Sequence, residues 1–402
     1  MSEFLLNEVC ELIVDCPHTT AKDEGEGFPL VRTPNIGKGR LVYDGMHRVC
    51  EDVYNKRNAR AIPQENDLIF AREATAGNVA LIQKGEKVCL GQRTVLIRPN
   101  QEIVNPAFLT YFLLAPKQQY NLLSTANGAT VAHVNLPTIR NLKIDLHELS
   151  TQHRIATILS RYDSLIENYQ NQIKFLVEAA QRLYKEWFVN LHFPGHENTK
   201  IVEGVPEGWE KKTINDVCTL ISSGSTPSRN KNSYWENGTI RWVKTKELLD
   251  RWILDTEEYI TQEGYNNSST KLFPANTILM AIYASPTLGR LGILSAECCC
   301  NQAALGLIAD EKVISWQWLF WKLYELRDEF NAIARGAGQQ NISGIVVKNK
   351  EIVIPAKRVI DGFTSVVSTM FEQQKNLQLQ IRLLTEARDR LLPKLMSGEI
   401  AV

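Results

Sequence analysis

The sequence predicts an α+β protein in which two similar globular domains are joined by two long, antiparallel coiled-coil helices, with pseudo-twofold symmetry between the halves. Three observations carry this prediction. The two halves of the chain repeat one another, each half has a mixed segment followed by one long helix, and both helices space their apolar residues in heptads.

The repeat is visible at both ends of each half. Residues 5–13 (LLNEVCELI) reappear as residues 213–221 (TINDVCTLI), and residues 172–178 reappear as 380–386. A repeat of about half the chain indicates two copies of one large unit rather than an array of short repeats. Two copies of a recognition unit would imply a two-part target. Further matches join residues 66–71 with 276–281, Gln92 with Gln302, 105–109 with 315–319, and 128–130 with 336–338.

The composition is that of a folded protein without membrane spans. The chain has 402 residues, of which 44% are hydrophobic, enough for two to three domains. No apolar run approaches the roughly 18 residues that cross a bilayer, and residues 1–30 lack a signal pattern. Eight irregularly spaced cysteines do not resemble a disulfide framework, so we expect a cytoplasmic protein.

The net charge argues against a protein that holds nucleic acid by charge alone. Lys and Arg number 45, and Asp and Glu also number 45. A solitary nucleic-acid clamp is usually basic overall. Neutrality still allows a local basic face, or a partner that supplies further positive charge.

The order of segments predicts the domain boundaries. Short apolar runs broken by Gly, Pro and Asn predict short strands, loops and a few helices in the mixed segments. We predict a first globular domain over residues 1–149, its long helix over 150–190, a linker over 191–208, a second globular domain over 209–356, and a second long helix over 357–402.

The two long helices are predicted from their apolar spacing, which alternates steps of four and three. We expect the first over about residues 151–188, capped by Ser150 or Thr151, and the second over about 359–396, capped at its end by Gly398. Gln374 and Arg388 interrupt the second seam. The seam residues are Ile155, Leu159, Tyr162, Ile166, Tyr169, Ile173, Leu176, Ala180, Leu183 and Trp187 in the first helix, and Phe363, Val367, Met370, Leu377, Ile381, Leu384, Leu391 and Leu395 in the second.

One segment, Asn105-Pro106-Ala107-Phe108, resembles the catalytic motif of adenine N6-methyltransferases. An Asn cap followed by Pro at the first helical position explains the same residues. The repeat favours the cap, because the matching residue is Ser315, another capping residue, with no Pro after it. The nearest candidate for a cofactor loop, Gly37-Lys38-Gly39, is too weak to support a methyltransferase site.

A metal site is equally weakly supported. Cys10, Cys16 and His18, or His47 and Cys50, are possible zinc ligands, but none has the paired spacing of a structural zinc site. Cys10 and its repeat mate Cys218 are better explained by core packing, and residues 298–300 (CCC) by a strand. Phosphate-cradling and nucleophile motifs are absent from the sequence, so we expect a non-catalytic chain that binds no metal.

With this organisation the chain resembles the specificity subunits of type I restriction–modification systems, over essentially its whole length. Three segments carry the resemblance: residues 208–210 (GWE) leading to 221–227 (ISSGSTP), residues 336–343 (GAGQQNIS), and residues 152–156 (QHRIA) opening the first helix. The match departs where residues 131–134 (VAHV) replace 339–342, and where residues 357–359 (KRV) open the second helix.

The resemblance implies a sequence-specific DNA-binding subunit with two target-recognition domains, each reading one half of a split, asymmetric double-stranded site. The helices would act as spacer and as docking surface for two modification subunits, with restriction subunits as further partners where the system has them. S-adenosylmethionine, and ATP and Mg where restriction subunits are present, would bind those partners and not this chain. Two alternatives stay open: a self-contained DNA methyltransferase, and a coiled-coil scaffold with no role on DNA.

Polar loop residues that differ between the two halves are the candidate DNA contacts. Arg can bond guanine through two hydrogen bonds, Asn can pair with adenine, and Glu can accept from cytosine; a solvated polar loop is the plainer explanation for any single residue. The first-domain candidates form three loop groups, of which the first is Arg32, Thr33, Asn35, Lys38 and Arg40, the second is Arg72, Glu73, Thr75 and Asn78, and the third is Arg93, His133 and Asn135. The second-domain candidates are Ser228, Arg229, Asn230, Lys231, Lys244, Thr245, Lys246, Tyr283, Ser285, Arg290, Gln339, Gln340 and Asn341.

Overall fold

The computed structural model describes residues 2–124, 133–202, 204–283, 287–336 and 341–402. The chain forms two compact units. The first, unit 1, comprises Met1–Glu167 with Leu383–Val402, and the second, unit 2, comprises Asn168–Arg382. Each unit contains one mixed segment and one part of both long helices. Each long helix is therefore shared between the two units.

The short strands of unit 1 form three small sheets. Their orders are β1-β9, β2-β8-β5-β6 and β4-β3-β7. In chain order the elements are β1 Ser2–Leu5, β2 Cys10–Asp15, β3 Phe28–Val31, β4 His47–Val49, α1 Glu51–Arg57, β5 Leu68–Ala71, β6 Val79–Leu81, β7 Cys89–Leu90, β8 Thr94–Pro99, α2 Pro106–Leu114, α3 Pro116–Ser124, α4 Leu136–Arg140, β9 Lys143–Leu146 and the start of α5 Leu149–Tyr184.

Unit 2 begins inside α5 and contains the linker hairpin and the second mixed segment. In chain order its elements are β10 Ile201–Val202, β11 Val205–Pro206, β12 Glu210–Thr213, β13 Cys218–Ser223, β14 Ile240–Val243, β15 Arg251–Ile253, β16 Glu258–Ile260, α6 Gln262–Asn266, β17 Ile278–Ala281, β18 Leu291–Leu294, β19 Cys299–Cys300, β20 Ala304–Ala309, α7 Trp316–Glu325, α8 Arg327–Gly336, α9 Gly344–Lys348, β21 Glu351–Ile354 and the first part of α10 Lys357–Ser397.

The two units have the same sheet topology. The pairs β1-β9 and β12-β21 correspond, as do β2-β8-β5-β6 and β13-β20-β17-β18, and β4-β3-β7 and β16-β14-β19. Unit 2 adds β15 beside β18 in parallel. Even the register shift repeats, between Cys10 and Leu12 in one unit and Cys218 and Leu220 in the other. The predicted α+β class with two similar domains and two long helices is therefore confirmed.

Local sequence explains why these elements form. All four residues of β5 and of β17 are buried, as expected of central strands that are covered on both faces. The Asn105 side chain accepts a hydrogen bond from the Phe108 amide at 2.9 Å, and Ser315 accepts one from the Trp318 amide at 3.3 Å. Both residues are thus helix N-caps, as the repeat predicted, and Pro106 occupies the first position of α2.

The long helices begin and end within a few residues of the predicted positions. A π-type turn, Lys185–Val189, follows α5 directly. The predicted N-cap of α5 was wrong, because the amides of Thr151 and Gln152 bond to the carbonyl of Glu148, ahead of Ser150. Gly398 follows α10 with φ +76°, the left-handed conformation that suits glycine after a helix.

The two long helices share a core in each unit, and in unit 1 their segments pack in opposite directions. In unit 1, Leu159 shares a core with Leu392 and Leu395, while Asp163, one turn later in α5, contacts the earlier residue Arg388. In unit 2, Ala180 and Tyr184 share a core with residues near the start of α10, including Phe363 and Val367. The predicted seam residues are all buried or half-buried: Ile155, Leu159, Ile166, Ala180, Phe363, Val367 and Leu395 are buried, and Tyr162, Tyr169, Ile173, Leu176, Leu183, Trp187, Met370, Leu377, Ile381, Leu384 and Leu391 are half-buried.

Each core also contains helix residues outside the predicted seam. Tyr184, Ile360 and Phe371 are buried in unit 2, and Leu392 and Met396 are buried in unit 1. The seam is wider than a heptad stripe because each helix packs against the globular part of its unit as well as against the other helix.

Five of the eight cysteines are buried, Cys10 and Cys218 are half-buried, and Cys50 is exposed. All eight cysteines are free of disulfide bonds. Residues 298–300 are buried, and the last two of them form strand β19. Burial raises the pKa of Cys10 and of Cys218 to about 12, so both thiols stay protonated near neutral pH. Among the described residues no cluster of three His, Cys, Asp or Glu has the geometry to hold a metal ion. None of the described helices is long and apolar enough to cross a membrane.

Candidate DNA interface

The first loop group of unit 1 follows β3 and forms a short 3₁₀ turn at Thr33–Asn35. Thr33 and Asn35 are buried. The side-chain Nδ2 of Asn35 donates to the Val42 carbonyl at 3.1 Å, and its Oδ1 accepts from the backbone amide of Arg32 at 3.3 Å. Asn35 therefore shapes the loop. Lys38 is exposed, and Arg40 forms an ion pair with Glu167 of α5.

The second loop group follows β5 and is tied to the first. Thr75 Oγ1 donates to the Thr33 carbonyl at 2.8 Å, and Asn78 Nδ2 donates to the Ile36 carbonyl at 2.9 Å. The structure thus brings the two groups together, through side chains that support the loop backbone rather than project away from it.

Charged side chains of the second and third groups form one network. Arg72 Nη1 bonds to Asp15 Oδ2 at 2.7 Å, and Arg72 Nη2 lies 2.8 Å from His133 Nε2. His133 Nδ1 lies 2.6 Å from one oxygen of Glu73, and Arg93 bonds to the other oxygen at 2.7 Å. A guanidinium can only donate, so this geometry assigns the His133 proton to Nδ1 and makes Nε2 the acceptor.

The network is buried at one end and open at the other. Arg72 is buried, with its Nε also donating to the Val134 carbonyl at 2.9 Å. The Arg93 side chain is 60% exposed, and its backbone has φ +63°. Asn135, the last candidate of this unit, is half-buried in front of α4. Asp15, which anchors Arg72, could not be predicted from the sequence, because nothing local marks a strand-end carboxylate as the partner of a residue 57 positions away.

In unit 2 the candidate cations gather around two glutamates. Arg229 bonds to Glu258 at 2.6 Å, and Lys244 bonds to both Glu257 and Glu258 at 3.1 Å. Lys246 bonds to Glu257 at 2.6 Å. Three cations thus share two carboxylates, which leaves one positive charge in excess within this cluster.

Two tryptophan rings support Arg229, a cation of that cluster whose side chain is 47% exposed. The guanidinium carbon of Arg229 lies 3.5 Å from the ring centroid of Trp235 and 4.9 Å from that of Trp242. Such stacking holds the guanidinium plane in place without using all of its N–H donors. Arg229 is therefore positioned while part of its hydrogen-bonding capacity remains open to solvent.

The carboxylates of the cluster stay ionised well below neutral pH. Hydrogen bonds from Lys246 and then Lys244 lower the pKa of Glu257. Burial acts to raise the pKa of Glu258, but the bonds from Arg229 and Lys244 outweigh burial and lower it. Both glutamates therefore carry their negative charge beside the cluster cations at neutral pH.

The remaining candidates of unit 2 are spread over its loops. Lys231 Nζ donates to Tyr234 Oη at 2.9 Å and lies over that ring. Ser228, Asn230, Tyr283 and Asn341 are exposed, whereas Thr245 and Arg290 are half-buried. Ser285, Gln339 and Gln340 lie outside the described residues, as do residues 337–340 of the segment 336–343 and residues 131–132 of the segment 131–134.

Equivalent positions of the two units carry unlike chemistry. Strands β5 and β17 end at Ala71 and Ala281, and the next residues are Arg72 and Glu73 in unit 1 but Ile282 and Tyr283 in unit 2. Arg72 belongs to the charged network, whereas Ile282 is buried in an apolar core. One framework therefore presents two different sets of polar loop residues, which we call the polar edges of the two units.

Asn105 is engaged in the fold and not in a catalytic arrangement. Besides capping α2, its side-chain nitrogen lies 3.0 Å from Nδ1 of His153, and its backbone amide donates to Gln152 at 2.9 Å. The methyltransferase-like segment thus joins α2 to the start of α5.

Two copies of one α+β framework, each with its own polar edge and with one part of both long helices, define a tandem recognition protein. Comparison with known families makes this more specific. The chain belongs to the family described as "Type I restriction modification DNA specificity domain", whose model matches residues 1–178 and 206–380. The predicted class, a specificity subunit that is not itself an enzyme, is thereby confirmed.

Individual relatives agree with this assignment. The MjaIX specificity subunit of a type I restriction enzyme from Methanocaldococcus jannaschii is 26% identical over 397 residues, covering 96% of this chain and 90% of that protein. The HindI specificity subunit from Haemophilus influenzae is 23% identical over 370 residues, covering 76% and 80%. The crystal structure of a type I restriction–modification S subunit from M. genitalium has the same fold, with a TM-score of 0.62 at 15% identity, covering 98% and 95% of the chains.

Proposed function

We propose that this chain reads a bipartite, asymmetric site on double-stranded DNA, one half with each unit, and positions adenine-methyltransferase subunits on it. Two modification subunits would bind one chain, and restriction subunits would join where the system has them. The observation that carries the proposal is the pairing of one shared framework with two unlike polar edges. A symmetric site would call for like edges, whereas two different half-sites call for different ones.

The exposed cations support DNA as the target despite the zero net charge. Arg93 and Lys38 of unit 1 and Arg229, Lys231 and Lys246 of unit 2 are exposed on loops. Arginine and lysine on loops can contact phosphates, which fix register, and base edges, which give specificity. Because carboxylates such as Glu73 and Glu257 neutralise part of this charge, non-specific binding should be weak unless partner subunits contribute.

We further propose that the chemistry belongs to the partners. In this proposal S-adenosylmethionine binds the modification subunits, ATP and Mg bind the restriction subunits, and this chain binds no cofactor. The use of Asn105 as a helix cap supports this division, because it leaves the methyltransferase-like segment with a structural role. The target adenine would then leave the base stack and enter the pocket of a partner.

The test is to co-express the chain with the methyltransferase encoded beside it and to map methylated adenines across the host genome. We expect a split motif with two fixed halves and a constant gap. Binding of labelled S-adenosylmethionine by the chain alone would favour a self-contained methyltransferase. Methylation without any sequence preference, or no DNA retention with all partners present, would favour a scaffold.

A further inference from the structure

Unit 1 contains a cavity of about 280 Å³ whose polar lining is basic. Three arginines, Arg32, Arg57 and Arg93, line it together with Gln92 and Thr33. None of the described residues that line this cavity is acidic. Its wall joins the loop after β3, the end of α1 and the turn between β7 and β8, so residues distant in the chain contribute its charge.

Arg57 is the buried cation of this cavity. Only 6% of the residue is exposed. Its Nε donates to the Leu90 carbonyl at 2.6 Å and its Nη2 to the Thr19 carbonyl at 2.9 Å. Both acceptors are neutral, and no carboxylate of the described part of the chain forms an ion pair with Arg57. Burial also lowers the pKa of Arg57, which is the direction expected of a cation removed from water without a counterion.

Arg32 and Arg93 add unused donors at the same cavity. Arg32 Nη2 donates to the Gly45 carbonyl at 2.9 Å, but its Nε is buried without a hydrogen-bond partner. Arg93 gives one nitrogen to Glu73, which lies outside the lining, and most of its side chain is open to solvent. Buried donors are normally satisfied, and Arg32, whose Nε is not, is one of the three arginines that line the cavity.

From these contacts we propose that the cavity is a binding site for a phosphate group, held by the guanidinium groups of Arg32, Arg57 and Arg93. Planar guanidinium groups match the oxygens of a phosphate and bind it through charge-assisted hydrogen bonds. If the group is a backbone phosphodiester of DNA, which rests on the proposed function, it anchors the register of unit 1 beside the half-site that this unit reads.

The buried arginine of this site has no counterpart in the corresponding helix of unit 2. Helix α1 ends at Arg57, whereas the corresponding helix α6 of unit 2, Gln262–Asn266, contains no basic residue. The inference therefore concerns only one of the two half-sites, and unit 2 serves as an internal comparison.

The experiment uses the complete methyltransferase complex with Arg32→Gln and Arg93→Gln, alone and together. Arg57 stays in place because its two carbonyl bonds support the fold. DNA affinity is measured at several salt concentrations, and Lys143→Gln, which removes an exposed cation outside the cavity, is the control. We expect each cavity variant to make the slope of log affinity against log salt shallower by about one, while the methylated motif is unchanged.

A second arm distinguishes DNA phosphate from free phosphate. Inorganic phosphate is titrated into the DNA-free chain, and its effect on melting temperature is compared between wild type and the double variant. A changed salt slope identifies the DNA backbone as the source, whereas loss of phosphate stabilisation with an unchanged slope identifies a free anion. If the variants behave like wild type in both arms, or if the methylated motif changes, the site is not a phosphate site. A wild-type complex that methylates no split motif would instead count against the proposed function.

Discussion

Arg388 of α10 donates a hydrogen bond to Asp163 of α5 across 2.6 Å, and both side chains are largely shielded from solvent. The Tyr111 hydroxyl donates to the other oxygen of Asp163 at 2.5 Å. Burial acts to lower the pKa of Arg388, but its bonds to Asp163 and Asp389 outweigh burial and raise it. An arginine that interrupts an apolar heptad seam is thus explained by a paired charge at the same level of the neighbouring helix.

Arg388→Ala should destabilise unit 1. It leaves the Asp163 carboxylate shielded and without its cation, which costs about 2–4 kcal/mol of unfolding free energy for a largely buried pair. Chemical denaturation of the purified chain measures the effect. Arg390→Ala, which removes an exposed i,i+4 partner of Glu386, is the matched control and should cost less than about 0.5 kcal/mol. Equal effects of the two substitutions would contradict the buried pair.

Phe363→Ala should destabilise unit 2 more than any exposed aromatic substitution on the helices. Phe363 is fully buried, and its ring contacts those of Tyr184, Trp187 and Phe188. Truncating such a residue costs about 3–5 kcal/mol. Phe175→Ala is the control, because Phe175 lies on α5 but is 64% exposed. The melting temperatures of the two variants check the prediction. If Phe175→Ala lowered the melting temperature as much as Phe363→Ala does, the buried packing of Phe363 would be contradicted.

Acidification should loosen the charged cluster of unit 2 through Glu258. Because the pKa of this carboxylate is lowered in the folded state, its contribution to stability is present above the ordinary glutamate pKa, about 4.3, and is lost as pH falls through the folded pKa. Thermal unfolding can be followed by tryptophan fluorescence, because Arg229 of the cluster lies over the Trp235 ring. The melting temperature should fall more steeply between pH 5 and 3 in wild type than in Glu258→Gln.

The control for this pH dependence is Glu178→Gln, which changes an exposed glutamate of α5 in the same unit. It should keep the wild-type profile. A Glu258→Gln variant with an undiminished acid transition would show that other carboxylates govern unit 2.

Exchanging residues 1–149 for those of another family member should change one half of the methylated motif and leave the other intact. Each unit has its own polar loops on its own sheets, so the reading of one half-site depends on one unit. Genome-wide methylation mapping of the chimera gives the result, and the reciprocal exchange of residues 209–356 should affect only the opposite half. A motif altered in both halves would contradict modular recognition.

Local features were predictable because short-range chemistry controls them. Asn105 and Ser315 cap their helices through bonds to amides three residues ahead, so the capping residue and its target lie in one segment. The buried strands β5 and β17 follow from apolar runs that recur in the repeat. The cap of α5 was misplaced because two adjacent hydroxyl residues outweighed Glu148 in the pattern, although the helix begins directly after that glutamate.

The polar edges could not be predicted to the same depth. Asn35 and Thr75 are residue types that can contact bases, yet in the structure their side chains hydrogen-bond to loop carbonyls and support the loops. Arg57 went unnoticed because a basic residue at the end of a short helix usually points to solvent, and only the fold buries it. An ion pair such as that of Arg72 with Asp15 forms only if the fold places their strands close together. No local sequence pattern encodes which strands become neighbours.

The sequence alone determined that this chain is a duplicated unit with two long amphipathic helices, because repeats and apolar periodicity are properties of the order of residues. The tertiary structure decided which polar side chains are consumed by the fold and which remain open, and it divided each helix between two cores. Those outcomes depend on contacts between residues as far apart as Asp163 and Arg388, 225 positions along the chain, and therefore exist only once the chain has folded.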